Sequence, residues 1–168
     1  MSEAQIRIEW ESAPGTRRSA PVTGPRSPVA ALVARPALVI SGDATIAEAA
    51  AAMHLAGVSC LLVGGGAGIV TERDVTRAVE RGVDPECAVA RIATHHPITA
   101  PADMTVVEAA AVMLNEEIRH LVVEHPEIGR GVVSLRDVTA VLLQAVDPGI
   151  WLGWLRQQIG SPTEIWLG

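Results

Sequence analysis

The sequence predicts a mixed α/β (α+β) fold built from two copies of one β-α-β-β-α unit. Residues 68–76 recur as residues 131–139, with six identities among nine positions. Upstream of this motif, residues 43–63 align without a gap with residues 103–123, and nine of the 21 positions are identical. Similarity of this length, in the same order in both copies, indicates an internal duplication. One such unit is too small to bury its own sheet, so we expect the two copies to pack together.

The first helix of each copy is predicted to begin with a capping box. Thr45 is followed three residues later by Glu48, and Thr105 by Glu108. In this pattern the hydroxyl accepts from a free amide of the first turn, and the carboxylate reaches back to the cap. Apolar residues then recur at helical spacing and form a face of mainly small side chains, which suits close packing on a sheet. These positions are Ile46, Ala49, Ala50 and Met53 in the first copy and Val106, Ala109, Ala110 and Met113 in the second.

Short apolar runs around this helix predict the strands. In each copy one run precedes the helix, and two further runs separated by a turn follow it as a hairpin. A second helix then ends the unit. The predicted strands are 38–40, 60–63 and 68–71 in the first copy and 97–99, 120–123 and 131–134 in the second, and the second helices span about 73–80 and 136–145.

The composition of the 168-residue chain is typical of a folded protein, because 49% of its residues are hydrophobic. No apolar run reaches the roughly 18 residues that a membrane span needs, and the acidic start of the chain is unlike a secretory signal. Cys60 and Cys87 lack metal or redox spacing, and we expect one thiol in the core and one in a loop. The sequence therefore predicts a cytoplasmic protein with no membrane partner.

The charge of the chain argues against nucleic acid as a partner. The net charge is −6, and the residues after position 36 hold eight arginines against sixteen acidic residues. A folded part this acidic repels a phosphate backbone. Phe and Tyr are absent, and no Trp lies between residues 11 and 150, so platforms for stacking bases are missing from the centre of the sequence.

The two ends differ from the duplicated centre. Residues 11–35 are rich in Pro, Ser, Ala, Gly and Arg and lack periodicity, which is typical of a flexible tail. Near the other end, apolar residues recur at a spacing that would place them on one face of a helix. They are Trp151, Trp154, Leu155 and Ile159. This apolar face would either pack back on the protein or a second copy, or dock another protein. Anchoring on a membrane surface is the weakest alternative, because the segment holds one Arg and no Lys. The predicted parts are a flexible, disordered tail (1–36), a first repeat with its linker (37–92), a second repeat (93–146) and a Trp-rich helical extension (147–168).

These features resemble a tandem pair of cystathionine-β-synthase-type (CBS) domains over residues 37–146. The resemblance lies in the helix start D-x-T-x-x-E-A, in H-P-I-T at residues 96–99, in I-R-H-L-V at residues 118–122, and above all in two G-h-x-[ST]-x-x-D motifs in register. It implies a pseudo-twofold pair with two clefts that bind adenosine-containing ligands, such as AMP, ADP, ATP or S-adenosylmethionine. It also implies a homodimer that associates through its helices.

The resemblance also implies roles for particular residues. The motif aspartates would hold ribose hydroxyls, the motif Thr and Ser would contact ribose or phosphate, aliphatic strand residues would enclose the adenine, and basic residues would meet phosphates. The chemistry agrees, because a carboxylate can accept two hydrogen bonds from a vicinal diol, and arginine suits phosphate. The candidate ligand-binding residues are Ile69, Thr71, Arg73, Asp74, Ile98, Thr99, Arg119, His120, Val132, Ser134, Arg136 and Asp137.

Capping is an alternative explanation of the two motifs. Thr71 with Asp74, and Ser134 with Asp137, are themselves capping boxes and would be useful in a protein that binds no ligand. Both explanations therefore stay open at the level of the sequence.

The two clefts are not expected to be equivalent. Ser59 and Cys60 stand in the first copy where Arg119 and His120 stand in the second. The first copy therefore lacks two of the side chains that would meet a phosphate, and one cleft is a candidate for being empty.

No nucleophile, base and orienting group form a constellation of their own in the sequence, so we predict that the protein is not an enzyme. The five histidines show no metal spacing, and neither a metal site nor a required cofactor is predicted. The sequence predicts a non-catalytic regulatory module that senses an adenosine-containing ligand and acts through its own dimer or an unknown protein partner. The alternative is a ligand-free structural or protein-interaction module that acts through the Trp-rich C-terminal segment.

Overall fold

The computed structural model describes residues 24–146, and within them the chain forms two β-sheets and four α-helices. The predicted mixed α/β class is confirmed, with one β-α-β-β-α unit in each half. The first unit consists of β1 (Val39–Ile40), α1 (Ile46–Ala56), β2 (Cys60–Val63), β3 (Gly68–Thr71) and α2 (Glu72–Glu80). After β4 (Thr94–His95), the second unit consists of β5 (Thr99–Pro101), α3 (Val106–Asn115), β6 (His120–His125), β7 (Gly129–Ser134) and α4 (Leu135–Gln144). The predicted Trp-rich helix and residues 1–23 of the predicted tail lie outside the described residues.

Both sheets repeat one arrangement. In the first sheet, β1 runs parallel to β2, and β2 is antiparallel to β3. In the second sheet, β5 runs parallel to β6, and β6 is antiparallel to β7. A helix connects each parallel pair, since parallel neighbours need a crossover connection. Strand β4, which leads into the second unit, adds to β3 at the edge of the first sheet.

The predicted capping boxes at the first helix of each unit are confirmed. In α1, the Thr45 hydroxyl accepts from the Glu48 amide at 3.0 Å, and the Glu48 carboxylate accepts from the Thr45 amide at 2.8 Å. In α3, Thr105 and Glu108 form the same reciprocal pair. These bonds satisfy amides that a helix start otherwise leaves without partners, so the helix boundaries are set locally.

The observed elements lie within two residues of their predicted bounds, and β5 is displaced by two residues at both ends. The predicted strand is 97–99, whereas β5 pairs with β6 from Thr99, which lies opposite Val122. His96 has a φ of 52°, so the backbone turns immediately before this strand. Within the strand, Ala100 is fully buried in the core of the second unit.

The buried apolar side chains form three clusters. One cluster fills the first unit, and a larger one fills the second unit around Val106, Leu121 and Val133. The third cluster joins the two sheets through β2, β3 and β6. Its buried members are Cys60, Leu62, Ile69 and Val122, with Ala37 and Val132 partly buried against them.

Residues 24–33 pack against the second unit. Val29 is fully buried in the core of that unit, and its amide donates to the Met104 carbonyl at 2.7 Å. Two further side chains of the segment, those of Ala30 and Val33, are also buried there. The prediction of a flexible tail over residues 1–36 therefore does not hold for residues 24–33, because these apolar side chains complete the core of the second unit.

The segment before the second unit makes the equivalent contact on the first unit. The Val89 amide donates to the Ala44 carbonyl at 2.7 Å, and Val89 is fully buried in the core of the first unit. When residue 103 is aligned with residue 43, Val89 corresponds to Val29. Each unit is therefore completed by the segment that leads into the other unit. We call residues 25–33 and 85–93 the two lead segments.

Replacing Val29 with alanine should lower the free energy of unfolding by about 2 kcal/mol, because it removes two buried methyl groups and leaves a cavity. Urea unfolding measures this as a lower midpoint at unchanged slope. Val107→Ala is the matched control, since Val107 lies on α3 and is 46% exposed; its effect should stay within about 0.5 kcal/mol. If Val29→Ala unfolds at the same urea concentration as the parent, the lead segment does not stabilise the second unit.

Candidate functional site

A cleft of about 320 Å³ opens between the two units. The first unit and the chain leading into it contribute residues 35–38, residues 57–60 and Leu62. The second unit contributes His120, Val132, Ser134 and Asp137. The cleft thus contains the second copy of the repeated motif and a surface from the other copy, which is the arrangement expected of a ligand site between domains.

Ser134 and Asp137 reach the cleft because they begin α4. The Asp137 Oδ2 atom accepts from the Ser134 amide at 3.0 Å and from the Ser134 hydroxyl at 2.6 Å. The predicted capping function is therefore present. It uses only one carboxylate oxygen, and Asp137 Oδ1 has no hydrogen-bond partner among residues 24–146. Asp137 is exposed at the cleft, so capping and ligand binding are compatible in this residue.

The first copy of the motif caps α2 in the same way. The Asp74 Oδ2 atom accepts from the Thr71 amide at 2.9 Å and from the Thr71 hydroxyl at 2.7 Å. Its other oxygen, however, lies 3.6 Å from Nη1 of Arg77. Because Arg77 has no equivalent on α4, where Ala140 stands, the two motif aspartates differ in their charge environment.

His120 connects the two units at the cleft. Its Nε2 atom lies 2.7 Å from the Ser59 hydroxyl of the first unit. Burial lowers the pKa of His120 below its ordinary value, and the charge of Arg119 lowers it further, while Glu72, Asp137 and Asp74 oppose the shift. The imidazole is therefore neutral at physiological pH. It forms a hydrogen bond with the Ser59 hydroxyl, in which the tautomer of the ring decides which group donates.

Cys60 lines the same cleft as His120 and belongs to the third apolar cluster, which we call the sheet-joining cluster. Its thiol is unreactive. Burial raises the pKa of this thiol to about 12, and the charge of Glu72 adds to the rise. Because the thiolate is the reactive form of cysteine, a thiol with this pKa is a poor nucleophile. The expectation of one core thiol is met by Cys60, and Cys87 is partly buried outside it.

The structure divides the twelve predicted ligand-binding residues into separate groups. His120, Val132, Ser134 and Asp137 line the cleft together. Around the other motif, Ile69 is buried in the sheet-joining cluster, and Thr71 and Asp74 cap α2. Ile98 packs against the core of the second unit, and Thr99, Arg73, Arg119 and Arg136 are exposed. The role of each residue in binding stays a prediction.

The sequence reasoning missed the chain leading into β1. Arg35 lines the cleft, and the Ala37 amide donates to the Arg130 carbonyl at 2.8 Å, so this stretch runs beside β7. A signal was available, because P-x-x-x-V-A at residues 25–30 recurs at residues 85–90. The duplication thus begins before residue 37, and Arg35 is the arginine among the residues that line this cleft.

Residues 24–146 contain neither a cluster of metal-binding side chains nor a helix long enough to cross a membrane. No three of their His, Cys, Asp and Glu side chains lie together in a way that could hold a metal ion. Their longest helix, α1, has 11 residues, whereas a bilayer crossing needs about 20.

Comparison with known proteins identifies the family. The CBS domain matches the sequence twice, at residues 29–81 and 89–144, which is well over half of the chain. The chain belongs to the CBS domain family and carries its domains as a tandem pair. The first match begins at residue 29 and so includes part of the lead segment.

Solved structures with the same fold include several CBS pairs. A CBS domain protein from Pyrobaculum aerophilum, complexed with AMP, is 29% identical, with a TM-score of 0.59 over 75% of this chain and 96% of that chain. A putative signal-transduction protein with CBS domains from Burkholderia ambifaria is 25% identical, with a TM-score of 0.62 over 72% and 98%. The CBS domain pair of protein MJ0100, in complex with 5-methylthioadenosine and S-adenosyl-L-methionine, shares the fold at 22% identity, with a TM-score of 0.64 over 73% and 100%. A search of curated proteins found no match.

The lowered pKa of His120 predicts how stability depends on pH. Because the folded state holds this proton less tightly than the unfolded state, its contribution should be lost as the pH falls below about 6.5. Urea unfolding between about pH 5 and pH 7.5 should therefore show a smaller decline on acidification for His120→Gln than for the parent. His95→Gln, which changes an exposed histidine on β4, should keep the decline of the parent. An unchanged profile in His120→Gln would show that the ring titrates normally.

Proposed function

We propose that this CBS pair is a regulatory module that binds an adenosine-containing ligand in the cleft between its two units. The observation that carries the proposal is the carboxylate of Asp137. Its Oδ2 atom caps α4, while its Oδ1 atom has no partner within residues 24–146 and stands at a cleft shared by both units. A carboxylate oxygen in this position can accept hydrogen bonds from the two hydroxyls of a ribose.

The surroundings of Asp137 suit the remaining parts of such a ligand. Val132, Leu38 and Leu62 supply apolar surface on which an adenine ring can lie. Ser134 lies at the N terminus of α4, where the helix dipole favours a phosphate, and Arg35 adds a cation at the same cleft. The neutral His120 can donate or accept a hydrogen bond without repelling the cationic group of an S-adenosylmethionine.

The comparisons support the ligand class. The Pyrobaculum protein was solved with AMP, and the MJ0100 pair with 5-methylthioadenosine and S-adenosyl-L-methionine. We propose AMP, ADP, ATP or S-adenosylmethionine as the candidates for this chain. CBS domains are generally regulatory, so we also propose that the protein is non-catalytic and requires no cofactor. Its place in the cytoplasm remains a prediction.

Titration with these four ligands tests the proposal. A true ligand at 100 times its dissociation constant should stabilise the protein by about 2.7 kcal/mol, which a thermal-shift assay detects as a higher midpoint. For that ligand, Asp137→Asn should weaken binding by about ten-fold or more in titration calorimetry, because a charged acceptor becomes a neutral one. If none of the four ligands moves the midpoint, the sensor function is wrong.

Asp74→Asn is the matched control for this experiment. It makes the same chemical change in the same capping box, but Asp74 is already paired with Arg77. We expect the loss of affinity to be smaller than for Asp137→Asn. Asparagine also suits a helix start, so either variant should lose less than about 1 kcal/mol of stability. Equal affinity in the parent and both variants would mean that the aspartates serve only as caps.

A second candidate function is protein association through the helices. Leu55 on α1, Val79 on α2 and Leu114 on α3 are 77%, 72% and 68% exposed. Each of these large apolar side chains would lose contact with water if its helix packed against a partner. We propose a second copy of the chain as that partner, in agreement with the predicted homodimer.

Light scattering of the full chain should therefore give a mass of twice 17.6 kDa. Leu55→Glu and Leu114→Glu should each shift the mass toward that of one chain, because a carboxylate placed in an apolar contact must be desolvated. Val39→Glu is the control, since Val39 is half exposed but lies on strand β1. A parent that scatters as a single chain at working concentration would rule out the homodimer.

A further inference from the structure

A pocket of about 200 Å³ lies entirely within the first repeat, apart from the cleft between the repeats. Helix α2 forms one wall and the segment from residue 83 to residue 92 forms the other. Three arginines line it: Arg77 from α2, Arg81 from the C-cap position directly after α2, and Arg91 from the lead segment of the second repeat. Its remaining lining is apolar except for Asp74, and consists of Ala78, Val83 and Ile92.

Only one of the three positive charges in this pocket is paired with an acidic side chain of residues 24–146. Arg77 forms an ion pair with Asp74, with 3.6 Å between its Nη1 atom and Oδ1 of the carboxylate. Arg91 donates to the sulfur of Cys87 at 3.2 Å, and a thiol is a weak acceptor. Arg81 forms no ion pair with an acidic side chain among residues 24–146. The pocket is therefore cationic in a chain whose net charge is −6.

The duplication supplies an internal control for these arginines. When α2 is aligned with α4 through Asp74 and Asp137, Arg77 and Arg81 correspond to Ala140 and Gln144. When residue 103 is aligned with residue 43, Arg91 corresponds to Ala31. The second repeat thus builds the same fold without a basic residue at any of these positions. The arginine cluster is a property of the first repeat and not a requirement of the fold.

The C-terminal end of α2 accounts for only part of the cluster. A helix C terminus favours cations, which explains Arg77 and Arg81 individually. Arg77 in the last turn and Arg81 at the C-cap are four residues apart and line the same pocket, however, so their like charges repel. Arg91 comes from another segment and adds a third positive charge to the same pocket. A bound anion would relieve this repulsion.

We propose that this pocket binds a phosphate group, with Arg81 and Arg91 as its principal donors. The planar fork of an arginine matches the oxygens of a phosphate and gives charge-assisted hydrogen bonds. Ala78, Val83 and Ile92 would contact the organic part of a phosphomonoester, so the pocket should prefer such a compound to inorganic phosphate. This site is independent of the adenosine cleft and does not rest on the function proposed for it.

Titration calorimetry on the full chain, with phenyl phosphate and with inorganic phosphate, tests the proposal. The parent should bind both probes, and phenyl phosphate more tightly. Arg81→Gln and Arg91→Gln should each weaken phenyl phosphate binding by about ten-fold or more, because each removes a charged donor. Arg26→Gln makes the same charge change at an arginine that does not line the pocket, and should stay within about two-fold of the parent, since salt screens an exposed charge that does not contact the probe. Thermal midpoints check that the variants remain folded.

Three results would overturn the site. The first is that the parent binds neither probe. The second is that Arg26→Gln weakens binding as much as the pocket variants do, and the third is that the pocket variants retain full affinity. Amide chemical shifts of the 15N-labelled chain locate the bound probe. Perturbation of Gly82 and Val83 supports the arginine pocket. Perturbation confined to Ser134 and Asp137 would contradict it while supporting the separate proposal for the adenosine cleft.

Discussion

Each repeat of this protein is completed by the chain segment that leads into the other repeat, and the remaining structure depends on this exchange. Val29 enters the core of the second repeat, and Val89 enters the core of the first. Each of these segments packs on one repeat and continues into the first strand of the other, so the chain ties the two sheets together. The sheets share a small apolar cluster around Cys60 and Val122. Residues 35–38 make one of these connections, and they form a wall of the cleft.

The repeated motif combines a structural and a chemical function in one carboxylate. One oxygen of Asp137 satisfies the start of α4, and the other remains at the cleft. Because capping alone already uses the motif, it can be present in both repeats even though their surroundings differ. Capping requires only the local spacing of a hydroxyl and a carboxylate, whereas binding also requires the facing surface. The two copies differ in the surface that faces the carboxylate. Arg77 forms an ion pair with Asp74, whereas no arginine on α4 forms one with Asp137.

Charge is distributed unevenly over the two repeats. The cleft contains Arg35 and a histidine whose pKa is lowered by burial, so it carries little fixed positive charge beyond one arginine and the helix start. The first repeat, in contrast, concentrates Arg77, Arg81 and Arg91 around one small pocket. A duplicated fold provides two equivalent repeats. Amino-acid substitutions in one repeat can therefore add a binding site without disturbing the other repeat. The pseudo-symmetry of the fold therefore does not extend to its chemistry.

The local patterns of the sequence were sufficient for the mixed α/β class, the two repeats and the helix starts, because hydrophobic spacing and capping depend on neighbours within a few residues. They also placed Ser134 and Asp137 correctly at the start of α4. They were not sufficient for Val29, whose Pro-, Ser- and Ala-rich surroundings resemble a flexible tail, since its burial depends on a distant surface. The contact of His120 with Ser59, and the place of Arg35 in the cleft, likewise arise only when the crossing chain brings the two repeats together.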